Sequence, residues 1–286
     1  MPIKTILVPL YDAQGASAAL AATFALARSF GAHVSVLHLR NDPTRALGDF
    51  VGESVSPALV EEILTSAEVR AKSAASKTRR AFDDAVRRAK IPVGGKGTKS
   101  GASASYDEVV GQSDAEIERR GRLSDLVVVR RARGNSDVGA RVVAETALMG
   151  TGRPLLVVPP KAPAKIGSNV AIAWNDSTEA AKAVAAALPF LGGAAKVTVI
   201  SARENGAEYD QDGLIAYLRH HGVRARGASV RAGGDAGQAI ARAASRAGAN
   251  LLVMGAYTHS RVREMILGGV TQHVLSKSRI PVLMAH

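Results

Sequence analysis

Cysteine is absent from this 286-residue chain, which excludes disulfides, thiolate metal sites and cysteine nucleophiles together. Aromatic residues make up only 4%, so the core has to be built from Ala, Val, Leu and Ile. No apolar run reaches the roughly 18 residues expected of a membrane span. Met1-Pro2-Ile3-Lys4-Thr5-Ile6 runs directly into a strand-like pattern, with no charged region followed by an apolar signal segment. HExxH, GxSxG and a carboxylate-rich metal cluster are all missing. The expectation is a soluble cytoplasmic protein with no membrane contact, no metal site and no assignable catalytic residue.

What the chain does have is positive charge, +12 overall. Through Pro160 there are 22 Lys+Arg against 17 Asp+Glu, and 15 against 8 after it, so the excess is spread over both halves. Nucleic-acid binding usually needs a clustered basic face, often with stacking aromatics. Neither is visible in the sequence, so nucleic acid is not the expected partner. An affinity for anionic ligands is the milder inference.

The chain also repeats itself. Thr5-Ile6-Leu7-Val8-Pro9-Leu10-Tyr11-Asp12 aligns with Asn169-Val170-Ala171-Ile172-Ala173-Trp174-Asn175-Asp176. An Ala-rich helix follows each, over 17–30 and 178–191, and then a strand, over 33–39 and 196–201. Leu126-Val127-Val128-Val129 matches Leu251-Leu252-Val253-Met254, and Pro154 to Val158 matches Pro281 to Met284. The first half carries about 39 extra residues, much of them a long helical stretch over 57–90 with proline at its start. Gly94 to Gly101 superficially resembles a phosphate loop but lacks the order GxxxxGK[ST], and reads as a turn.

Short apolar strands alternating with amphipathic helices predict βαβ units. The fold class is therefore α/β: two tandem Rossmann-like domains, 1–160 and 168–286, each a parallel five-stranded sheet with helices on both faces. The linker between them is rich in proline and lysine. In such sheets ligands sit outside the carboxyl ends of the strands. In the second half those ends are Asn175-Asp176, Ser201-Ala202, Gly233-Gly234-Asp235 and Gly255. Asp176 has two readings: a hydrogen-bonding partner for a base or ribose, or simply the N-cap of the next helix.

The loop after Gly255 carries the most information. Met254-Gly255-Ala256-Tyr257-Thr258-His259-Ser260-Arg261, continuing to Leu267-Gly268-Gly269-Val270-Thr271, resembles the signature of the universal stress protein family. Asp12, Asp176 and the closing Pro-Val-Leu strand agree with it. The resemblance extends over the chain as two tandem copies. It implies a fold like that of the adenine nucleotide alpha hydrolases, pairing through the last strand within the chain or in a homodimer, and ATP or AMP binding in some members. Magnesium would accompany ATP. The ATP-binding members carry Gly, two residues, Gly, nine residues, Gly, a small residue, then Ser or Thr. Gly255 and Gly268 keep the outer spacing, while Thr258 replaces the middle glycine and Gly269 is followed by Val270.

The resemblance therefore implies a nucleotide site made of Asn175, Asp176, Gly255, Thr258, Gly268, Gly269 and Thr271, in the second half only. The first half has Arg130-Arg131-Ala132-Arg133-Gly134 after its strand and lacks the glycine frame, so it is expected to have lost the site and to present a charged surface loop. The implied role is stress response. The alternatives are a scaffold that binds no nucleotide and a weak ATP-hydrolysing enzyme.

Overall fold

The computed structural model describes residues 2–40, 42–44, 47, 56–94, 101–111, 113–134, 136–161, 163, 165–203, 209–233, 235–256 and 277–286. Of the predicted site, Thr258, Gly268, Gly269 and Thr271 lie outside the described residues, as do residues 95–100 of the glycine-rich turn.

The first half runs β1 (Thr5–Leu10), α1 (Ala16–Phe30), β2 (His33–Arg40), α2 (Pro57–Ala89), β3 (Ser103–Val110), α3 (Ser113–Gly121), β4 (Leu126–Arg130), α4 (Val138–Gly150) and β5 (Leu155–Val158). The second runs β6 (Asn169–Ala173), α5 (Thr178–Leu191), β7 (Lys196–Arg203), α6 (Gln211–His220), β8 (Ala225–Arg231), α7 (Ala236–Arg246), β9 (Leu251–Gly255) and β10 (Val282–Ala285). The strands form a single ten-stranded sheet in the order β3-β2-β1-β4-β5-β10-β9-β6-β7-β8. Each set of five is parallel within itself. The two sets join where β10 pairs antiparallel with β5, Val282 opposite Val157 and Met284 opposite Leu155. What the repeat alone presents as two five-stranded sheets is thus one mixed sheet, because the last strand offers its free edge to the matching edge of the first half and neither edge is left unpaired.

Strand residues alternate between two apolar layers. Ile6, Val8, Leu126 and Val128 face one layer with Leu20 and Phe24 of α1 and Phe82 of α2. Leu7, Val127 and Val129 face the other, with Ile117 of α3 and Val143 of α4. Both faces are covered, which is why the parallel strands read as near-continuous apolar runs. Phe30 at the end of α1 meets Phe190 of α5 edge to face, ring centroids 5.2 Å apart, tying the halves together on the first layer.

Helix ends follow local chemistry. Ser56 caps α2 by accepting from the Leu59 N–H at 3.3 Å, with Pro57 in the first turn. The first half of this 33-residue helix is mostly exposed; its buried residues are Thr78, Phe82 and Ala85.

Candidate functional site

The order within each half places a topological switch between β1 and β4, and between β6 and β9. A crevice at the carboxyl ends of those strands is the expected ligand position. In the second half, register pairs Ile172 with Val253. Two residues further on, Trp174 is level with Gly255, so Asn175, Asp176 and Gly255 share one end of the sheet.

Asp176 is not the cap of α5. Ser177 holds that position, its Oγ accepting from the Ala180 N–H at 3.1 Å, while Asn175 Oδ1 accepts from Ser177 Oγ at 2.8 Å. Asp176 instead adopts a left-handed conformation, φ 55°. Its Oδ2 accepts from the Asp210 N–H at 2.9 Å, and Trp174 Nε1 donates to the Asp210 carbonyl at 3.1 Å. Two side chains from the end of β6 thereby hold both backbone groups of the residue that caps α6. Strand-end position alone does not distinguish this anchor from a cap.

Gly255 has a packing reason to be glycine. A Cβ there would lie 2.5 Å from the Ala180 backbone nitrogen and 2.7 Å from the Glu179 carbonyl carbon. The end of β9 thus presses directly on the first turn of α5. Nearby, Ser201 at the end of β7 is buried with its hydroxyl unpartnered. A separate cavity of about 440 Å³ opens further out, beside β8 and α7, lined by Arg231, Gly233, Asp235, Gln238, Arg242 and Arg246.

The first half fills the same crevice with its own side chains. Arg130, at the place in β4 that Gly255 takes in β9, is 7% exposed. Its guanidinium donates to both Asp137 oxygens at 2.6 and 3.1 Å and to Asp12 Oδ2 at 3.2 Å, and lies 4.7 Å from the centre of the Tyr11 ring. The Tyr11 hydroxyl donates to Asp137. Gly15, the residue before α1 (φ 78°), makes room for this: a Cβ there would come 2.9 Å from Arg130 Cδ. The halves have exchanged positions, glycine at the strand end and serine at the cap in one, arginine at the strand end and glycine at the cap in the other.

The expectation of a charged surface loop is therefore corrected for its first arginines. Arg130 is the centre of a buried ion-pair network. Arg131 reaches the Ser278 carbonyl with Nη1 at 2.7 Å, and burial lowers its pKa. The sequence signal was Asp137 seven residues downstream of an arginine that ends an apolar strand. Burial raises the Asp12 carboxyl above its usual range, with Asp137 adding to the effect. For Asp137, burial pushes upward, but hydrogen bonds from Arg130 and the Arg133 N–H outweigh it and leave the pKa low.

Beside this network, under α2, a cavity of about 650 Å³ is lined by residues that include Tyr11, Asp12, His38 and Arg40. His38 is 1% exposed, and its Nδ1 lies 3.2 Å from Glu108 Oε2. Among the described residues no group of three or more His, Asp or Glu is placed to hold a metal ion, and no helix is long and apolar enough to cross a membrane.

Residues 168–286 match the family model of the universal stress protein family. A universal stress protein of Synechocystis sp. is 46% identical over 50 residues, a stretch that makes up 18% of this chain and 17% of that relative. The fold is similar to that of a universal stress protein from Archaeoglobus fulgidus DSM 4304, with TM-score 0.66 and 16% identity over 98% of this chain and 97% of the other. A functionally unknown protein from Pseudomonas aeruginosa PAO1 is also similar, with TM-score 0.53 and 16% identity over 98% and 92%.

Proposed function

We propose that this chain, whose residues 168–286 match the model of the universal stress protein family, is a stress-response protein that takes an adenine nucleotide, ATP or AMP, in its second half only. The observation that carries this reading is the contrast at one position. Gly255 adds no side chain at the strand end of the second half, where the first turn of α5 packs against it, whereas Arg130 occupies the crevice of the first and is held there by Asp12 and Asp137. In this reading Asn175 and Asp176 serve the base or ribose, and Gly255, Thr258, Gly268, Gly269 and Thr271 serve the phosphates, where backbone N–H groups approach without a Cβ in the way. Magnesium joins if the ligand is ATP.

Isothermal titration of the full chain with ATP and with AMP tests it, alongside Gly268→Leu. Saturable binding lost in Gly268→Leu is the expected result. Absence of heat with both nucleotides, in protein shown to be folded, overturns the nucleotide assignment.

A second reading, a scaffold that binds no nucleotide, draws on α2. Its N-terminal half leaves Leu59 and Val69 exposed at 44% and 63%. Native mass spectra free of nucleotide, together with nucleotide-independent stability, would favour it.

A further inference from the structure

Helix α7 carries no acidic residue, and Gln238, Arg242 and Arg246 follow one another along it at intervals of four. Like charges four residues apart on a helix repel, so Arg242 and Arg246 sit together at a cost. Arg231, at the end of β8, joins them on the lining of the cavity of about 440 Å³ beside β8 and α7. None of the three arginines makes an ion pair or a side-chain hydrogen bond with a described residue. We propose that this cavity binds a small linear polyanion, a chain of two or three linked phosphate groups, through Arg231, Arg242 and Arg246. The inference is independent of the nucleotide reading, since it uses none of the residues of that site.

The first half shows the same part of the fold with its arginines satisfied internally. Helix α3 follows β3 as α7 follows β8. There Arg119 donates to both Glu116 carboxylate oxygens at 2.9 and 2.8 Å, and Arg120 donates to Asp107 at 2.6 Å. Arg122, just past the helix, donates to Glu118 at 2.6 Å. With no glutamate on α7, the arginines of the second half are left to an external anion.

The cavity's chemistry defines that anion. Its one carboxylate, Asp235, is engaged at the start of α7, where Oδ1 accepts from the Gln238 N–H at 2.9 Å. Three guanidiniums against one carboxylate leave an excess of positive charge that calls for a multiply charged ligand. Arg242 and Arg246 are about 6 Å apart along the helix axis, so linked groups can engage both at once where a single phosphate cannot. The guanidinium fork matches phosphate oxygens. The rest of the lining is small or aliphatic, with no aromatic ring on which a base could stack, so the anion itself is recognised and not a nucleoside or a nucleic-acid strand.

The probe is inorganic tripolyphosphate, titrated into the full chain by calorimetry, with orthophosphate as the single group and citrate as a branched carboxylate of multiple charge. Saturable binding of tripolyphosphate is expected, about 10-fold or more tighter than orthophosphate and tighter than citrate. Arg242→Gln and Arg246→Gln should each weaken it about 3–10-fold, in variants that keep the fold because both residues are exposed and glutamine is nearly as good a helix former. Arg219→Gln, which removes the same charge from an exposed position on α6 outside the cavity, should leave the affinity unchanged. Gly268→Leu should leave it unchanged as well, which separates this site from the nucleotide reading. No binding at millimolar tripolyphosphate, affinity equal to that of orthophosphate or citrate, or an equal loss in Arg219→Gln would overturn the proposal. Loss of binding in Gly268→Leu would also overturn it, in favour of the phosphate position of the nucleotide site.

Discussion

Replacing Arg130 by alanine removes one cation from three partners at once. The guanidinium is nearly sealed, its side chain 8% exposed, against 13% for Asp137 and 29% for Asp12. Removing one member of a buried ion pair costs roughly 3–5 kcal/mol, because the remaining charge has lost both water and its counter-ion. Asp12 keeps some access to solvent, so the lower end applies; the Tyr11 contact adds about 0.5–1 kcal/mol. A loss of about 3.5–4 kcal/mol is expected, equivalent to a Tm drop of roughly 6–8 °C in a chain of this size. Urea denaturation gives the free energy and calorimetry the Tm. A cycle with Asp137→Asn should show that the second substitution costs far less in the Arg130→Ala background. The acid limb supplies a further check. Because Asp137 has a depressed folded pKa, its stabilisation is present above the ordinary carboxylate value and is lost as pH falls through the folded one; Asp12, raised in the fold, works in the opposite sense. Arg130→Ala should flatten the Asp137 part of that slope. Destabilisation below about 1 kcal/mol, or strict additivity in the cycle, would refute the idea of a structural plug.

Other positions give outcomes of comparable clarity. Gly255→Ala puts a methyl 2.5 Å from the Ala180 nitrogen and should cost about 1–3 kcal/mol in urea melts, because backbone and not a flexible side chain must yield. Asp176→Ala loses the bond to the Asp210 N–H and leaves an alanine at φ 55°; about 1–3 kcal/mol of destabilisation is expected, while Asp176→Asn should recover most of it. Tyr106 is pushed up to about 12 by burial, with Glu108 contributing. The fold therefore favours the neutral phenol: this contribution to stability is whole below pH 10 and lost as pH rises toward 12. Absorbance titration at 295 nm should show one late-titrating tyrosine that disappears in Tyr106→Phe.

Much of the architecture is legible in the sequence, for identifiable reasons. Strands buried on both faces leave continuous apolar runs such as Leu126 to Val129, and βαβ alternation permits few topologies. The equivalence of Asp12 with Asp176 and of Val129 with Met254 follows from the repeat alone. The site is harder to read, because one residue type serves several physical needs. Gly255 satisfies a phosphate-loop pattern, yet in the fold it is also required by the close approach of α5. Asp176 ends a strand as a cap would, yet Ser177 does the capping. Arg130 reads as the first residue of a basic loop, and only tertiary packing brings Asp12, 118 positions away, to its guanidinium. Side-chain partners distant in sequence leave no periodic trace.

The antiparallel seam between β5 and β10 has a consequence for function. Within each half the strands run parallel, and the expected position for a ligand is at their carboxyl ends. Since β10 runs opposite to β5, those ends point to opposite margins of the sheet. Ligands held by the two halves would then not touch, and any coupling between them would have to pass through the packed layers or through links such as that from Arg131 to the Ser278 carbonyl, just ahead of β10. The arrangement therefore lets one crevice be refilled by Arg130 without disturbing the other. Divergence of the two halves at a single strand-end position, glycine in one and arginine in the other, is compatible with a shared core because each change is absorbed locally, by α5 in one half and by Gly15 in the other.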